Sequence, residues 1–138
     1  MAIAKWATPS ARSSNLAGTT LNGLASGSES AVVTYDHSAS REGQGVITIK
    51  LGSINTAAAA SISVRVTMND GFDTADRIGG DLYSSLPLTS GTSPKVVMVY
   101  MARLYPFSLR LSVINNSGVA LATSGNEIYV RPYPEEIT

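Results

Sequence analysis

Residues 61–68 read Ser-Ile-Ser-Val-Arg-Val-Thr-Met, and this octet decides the fold class. Successive side chains of a strand point to opposite sides, so Ile62, Val64, Val66 and Met68 share one face while Ser61, Ser63, Arg65 and Thr67 share the other. One face belongs to a core and the other to water. Residues 107–113, Phe-Ser-Leu-Arg-Leu-Ser-Val, repeat the pattern with Phe107, Leu109, Leu111 and Val113 inward and Ser108, Arg110 and Ser112 outward. Two strands that are each apolar on one side require a facing layer.

Working outward, further strands are expected over Ala31–Tyr35, Val46–Leu51, Val96–Arg103, Val119–Ala122 and Glu127–Tyr133. Val96-Val-Met-Val-Tyr-Met101 is apolar on both faces, which marks a central strand or one covered by a second chain. Asn69-Asp-Gly71, Asn115-Asn-Ser-Gly118 and Ser124-Gly-Asn126 supply residues that tolerate positive φ at tight connections. Ala57–Ala60 is too short to nucleate a helix and leads straight into strand alternation, so it reads as a loop. Residues 71–94, rich in Gly, Ser, Thr, Asp and Pro, read as a long connection anchored by Leu82, Tyr83 and Leu86. Two prolines close Tyr129-Val-Arg-Pro-Tyr-Pro134 and place the last strand at a sheet edge or against a neighbour. Roughly seven or eight strands in about 110 residues is the arithmetic of a β-sandwich. The expected fold is all-β, an antiparallel β-sandwich or jelly roll.

Ahead of it, residues 1–30 read as an extended N-terminal arm, with the β domain occupying 31–138. From Ala7 to Ser30 the chain is mostly Ala, Ser, Thr, Asn and Gly, with no helical or strand period. Such a segment buries too little apolar surface to offset its ordering entropy alone. Trp6, Leu16, Leu21 and Leu24 give it apolar anchors, so it is expected to dock on the domain or on a partner. Removing residues 1–26 is then expected to leave the β domain folded and to abolish partner binding.

Composition narrows the function. The 138 residues, 14.4 kDa, suit one domain. Ten Lys plus Arg balance ten Asp plus Glu, so no positive field gathers nucleic acid or acidic membrane. Charged residues are 14%, well under the roughly 25% usual in soluble domains, a bias that favours a surface partly packed against neighbours. The absence of cysteine removes disulfides, thiolate metal sites and cysteine nucleophiles. The opening Met1–Ser10 lacks the apolar run of a secretory signal, and no stretch approaches the roughly 20 apolar residues of a membrane span, so synthesis in a cytoplasm is expected.

No constellation of catalytic residues emerges. The one histidine, His37, follows Asp36, but adjacent strand residues point apart and no Gly-x-Ser-x-Gly elbow is present, so an exposed turn histidine is expected. A single imidazole does not make a zinc site. Asp70, Asp73, Asp76 and Asp81 are oxygen-rich but lack the alternation of a calcium loop and read as a solvated acidic turn. Paired carboxylates across a cleft, phosphate loops and dinucleotide fingerprints are not found. Tyr83, Tyr100, Tyr105, Tyr129 and Tyr133 read first as packed rings with wet hydroxyls and only second as a sugar platform. No metal or cofactor is expected.

The order of these motifs is a Trp near the start, Leu21-Asn-Gly-Leu-Ala-Ser-Gly27, alternating strands, Pro106-Phe-Ser-Leu109, Asn115-Asn-Ser-Gly118, and Leu121-Ala-Thr-Ser-Gly-Asn126 before a final strand. This resembles the small accessory virion proteins of tailed bacteriophages, the head decoration or cement proteins. The resemblance implies a non-enzymatic sandwich or jelly roll on the capsid exterior, commonly a homotrimer, made in the host cytoplasm and bridging subunits of the major capsid protein. It also implies that the matching segment Leu21–Gly27 is the arm that reaches a neighbour or the shell; with the apolar anchors, the expected partner-binding residues are Trp6, Leu16, Leu21, Asn22 and Leu24. The alternative is a tail or fibre module that binds a host carbohydrate through residues 71–94.

Overall fold

The computed structural model describes residues 4–6, 11–38, 42–69, 81–101, 104 and 108–137. In chain order the strands are β1 (Ala4–Trp6), β2 (Val33–Asp36), β3 (Gln44–Thr56), β4 (Ser61–Asn69), β5 (Asp81–Pro87), β6 (Gly91–Met101), β7 (Ser108–Asn116), β8 (Glu127–Tyr133) and β9 (Glu135–Ile137). Among the described residues there is no α-helix. One sheet runs β2-β7-β4-β5 and the other β6-β3-β8, with every pairing antiparallel. β1 and β9 pair separately and bring residues 4–6 beside 135–137. The protein is an antiparallel β-sandwich.

Period-two alternation builds the interior. Ile62, Val64 and Val66 of β4 and Leu109, Leu111 and Val113 of β7 come from one sheet; Ile47, Ile49 and Leu51 of β3 and Ile128 and Val130 of β8 come from the other. All are buried in one cluster, and each such side chain contributes roughly 1.5–3 kcal/mol. The polar faces are drier than alternation alone predicts. Ser63 and Ser112 are buried because Asn116 Nδ2 donates to Ser63 Oγ at 3.2 Å and Ser112 Oγ donates to the Glu29 carboxylate. The Met68 side chain and Phe107 lie outside the described residues.

Three strand expectations are corrected. β6 is the terminal strand of its sheet, not a central one, and Val96, Met98 and Tyr100 point into water. Residues 71–94 are not one long connection, since 81–87 form β5 against β4 and β6 begins at Gly91. The β4–β5 register shifts between Ser63 and Val64, which breaks the alternation by which β5 would be recognised. Val119–Ala122 is no strand; its Leu121 N–H donates to Leu24 O and its Ala122 carbonyl accepts from Gly23 N.

Residues 11–30 lie on the sandwich as a strap. Along the outer edge of β8, Ser13 N donates to Val130 O (2.7 Å) and Leu16 N to Ile128 O (2.9 Å). Val130 N and Ile128 N donate in return to Ser13 Oγ and Asn15 Oδ1. The strap then crosses to the other sheet, where Gly27 N donates to Asn115 O, Asn115 N to Ser28 O and Ser30 N to Val113 O. Between these two seams Ala17 and Leu21 enter the core, at 1% and 0% exposure.

Candidate functional site

The residues expected to bind a partner fall into different places. Leu21 is fully buried within its own subunit, and Leu16 and Leu24 pack partly buried against the same core. This corrects Leu21 as a partner contact: a side chain that fills the space between two sheets has no surface left to offer. Asn22 is exposed, and its Oδ1 accepts a hydrogen bond from Asn126 Nδ2 at 2.9 Å. Trp6 is in β1 opposite Glu135; its side chain lies outside the described residues.

Two of the three turn motifs, 115–118 and 124–126, are buckles for the strap, and Asp70 and Gly71 of the third lie outside the described residues. Asn115, fully buried, donates through Nδ2 to Leu24 O and Val119 O, both at 2.8 Å, and accepts from Ser117 N through Oδ1 at 3.0 Å. Asn126 donates to Asn22 Oδ1 and Ala122 O and accepts from Gly52 N at 3.0 Å. Gly118 and Gly125 supply φ of 83° and 81°, the left-handed conformation that these connections need. Sequence spacing identified the turns but not their partners, which lie up to 104 positions away, as Asn22 does from Asn126.

His37 is buried at 1% exposure, which corrects its assignment as an exposed turn residue. Its Nε2–H donates to Glu42 O at 2.6 Å, and its ring stands 5.7 Å from that of Tyr35. Asp36 points the other way into solvent and accepts from Ser38 N at 2.9 Å. The Ser38 side-chain hydrogen bond first, then this backbone one and last the nearby imidazole hold the Asp36 carboxyl below its ordinary value of 3.8. Burial, then the carboxylates of Glu42 and Asp36, raise the Tyr35 phenol above 10.0. Nε2 of His37 is thus committed to a carbonyl, while Nδ1 is buried without a hydrogen-bond partner among the described residues. Asp70, Asp73, Asp76 and Tyr105 lie outside the described residues; among the described residues no three His, Asp or Glu side chains gather as metal ligands. Tyr129 carries the Arg12 guanidinium 4.1 Å from its ring centroid, so one ring face is already covered.

Among the described residues, the three-stranded sheet has no strand beyond β6 at one of its edges. Ile128 and Val130 direct their N–H and C=O groups to the strap, so Glu127, Tyr129 and Arg131 direct theirs to Lys50, Thr48 and Val46 of β3. Alternation along β3 then turns Ile47, Ile49 and Leu51 toward Val99, Val97 and Lys95 of β6. Val96, Met98 and Tyr100 are left with backbone groups aimed at the open edge, and their side chains are 60%, 49% and 71% exposed. Lys95, between them and the core, is buried and turns its ammonium back onto Gly91 O and Ser93 Oγ, both at 2.8 Å. The strap closes the opposite edge of the sheet; among the described residues nothing closes this one. No protein-family model matches the chain, and a search of curated proteins finds no match to it.

Proposed function

We propose that this protein is a non-enzymatic structural component of a bacteriophage virion, a decoration protein that sits on the capsid exterior and stabilises the shell by bridging copies of the major capsid protein. The observation that carries the reading is the open edge of β6, where a strand bare of charge from Val96 to Tyr100 leaves three large side chains in water. Long apolar edges template pairing with other chains, and proteins that stay alone blunt them. The low share of charged residues and the order of motifs agree with an assembly role. In this reading the strap stiffens each subunit, and contact with the shell is made by the sandwich surface. Several modest contacts on one particle act together because each later one is intramolecular. Association into trimers, made in the host cytoplasm before attachment, completes the proposal.

Co-sedimentation tests it. Purified protein mixed with capsids of the encoding virus that lack it is expected to pellet with them, saturate at a fixed ratio per capsid subunit and raise the temperature at which they rupture. Protein left in the supernatant at every concentration would contradict the assignment.

A further inference from the structure

We propose that the open edge of β6 is a joint between two copies of this chain, paired antiparallel about Met98 so that two three-stranded sheets become one continuous sheet. The inference rests on reading that edge as a protein contact and names its occupant. Three features select a second copy.

The hydrogen-bonding groups are self-complementary. Residues 96, 98 and 100 all aim N–H and C=O outward, and a register centred on Met98 sets Val96 opposite Tyr100 and Met98 opposite itself. Every opposed pair then exchanges both of its bonds, as hydrogen-bonded pairs of an antiparallel ladder do. A register moved toward the start of the strand would bring Pro94, which has no N–H, into the ladder. The charges are also compatible. Residues 96–100, Val-Val-Met-Val-Tyr, carry none, so a twofold that sets like against like meets no repulsion. Lys95, the nearest charge, has its ammonium held on Gly91 O and Ser93 Oγ within its own strand. The side chains match as well, because Val96 meets the ring of Tyr100 from the other copy, an aromatic and β-branched pair of the kind that stabilises sheets.

The buried area sets the strength. Three residues exposed at 60%, 49% and 71% leave on the order of 300 Å² per copy in water, and in-plane pairing covers only the flanks of side chains that stand off the sheet face, so the joint buries far less than the roughly 800 Å² per partner of a standard interface. The joint is therefore reversible, and copies held side by side on a surface populate it more than dilute copies do. It is a twofold contact, separate from any threefold association.

The chain has no cysteine, so one substitution reports the joint cleanly. At the proposed axis the two Cα atoms of position 98 lie about 5.5 Å apart, within disulfide range. Full-length Met98→Cys is oxidised in solution without capsids and run on a non-reducing gel beside Val32→Cys, a control on β2's side that is 42% exposed. M98C is expected to form covalent dimers in the main, while V32C stays at the collision background; a short bismaleimide gives the same contrast where disulfide geometry is unfavourable. Met98→Lys, which opposes two charges at the axis, is expected to weaken self-association by about tenfold or more in sedimentation equilibrium with its circular dichroism unchanged. Equal cross-linking of M98C and V32C by both reagents, or self-association indifferent to M98K, overturns the joint. The capsid assignment is read separately, by pelleting, so the two fail independently.

Discussion

At position 52 a methyl group has nowhere to go. A Cβ on Gly52 would stand 2.3 Å from Ser124 O and 2.8 Å from Ala122 Cβ, because the turn buckled by Asn126 sits directly on this bulge of β3. Both neighbours are short and held by backbone, so relief requires moving the chain. Gly52→Ala is expected to cost about 2–3 kcal/mol in urea unfolding, at the upper end for overpacking. Asn115→Ala leaves the buried Ser117 N–H without its acceptor and takes one of two donors from Leu24 O and from Val119 O, and it is expected to cost about 1–3 kcal/mol by the same measurement. Leu21→Ala opens a cavity between the sheets at about 2–5 kcal/mol, a result foreign to a partner contact. Tyr35 sets an alkaline limit. Its folded value lies above 10.0, so the stability it contributes is complete below 10.0 and is lost as pH climbs through the raised folded value. Tyr35→Phe is expected to lose less thermal stability than the native chain over that rise, measured by melting temperature against pH.

Elements differ in how openly the sequence announces them. β4 and β7 alternate cleanly and were legible, as were β8 and its place at a sheet edge. β5 was hidden by its register shift, and the start of β6 by Gly91-Thr-Ser-Pro94, residues that ordinarily make turns. Docking of the leading segment on its own domain was one of the two expected outcomes, but the path of the strap was not legible. Its order comes from hydrogen bonds to β7 and β8 a hundred or so positions away, such as Ile128 N to Asn15 Oδ1 across 113, and no local period records such bonds. An arm free of the domain and a strap sewn to it have the same composition. They differ sharply on truncation. Removing residues 1–26 deletes Leu21, Leu16 and Asn15 and exposes the β8 edge, so the remainder is expected to lose its cooperative thermal transition rather than persist as a folded domain. A truncated chain that melts as the native one does would contradict this.

For the whole molecule, apolar strength is spent almost wholly inside, and the described surface keeps one concentrated exception along β6. That contrast puts the exposed apolar surface on β6 rather than on residues 11–30, and the candidate site was half visible in sequence. Val96–Met101 was recognised as apolar on both faces, with a second chain as one of two explanations; only the strand order shows that no strand of its own subunit lies beyond it among the described residues. Asn22 and the leucines were chosen for their composition, and their bonds and burial turn out to be internal. The most direct measurement is an electron-microscopy map of the encoding virus at side-chain detail. The account predicts sandwich-shaped density on the outer shell, with residues 11–30 lying on their own subunit and Val96, Met98 and Tyr100 covered by protein. A shell bare of this density, or one in which the strap reaches into the capsid while β6 faces solvent, would contradict it.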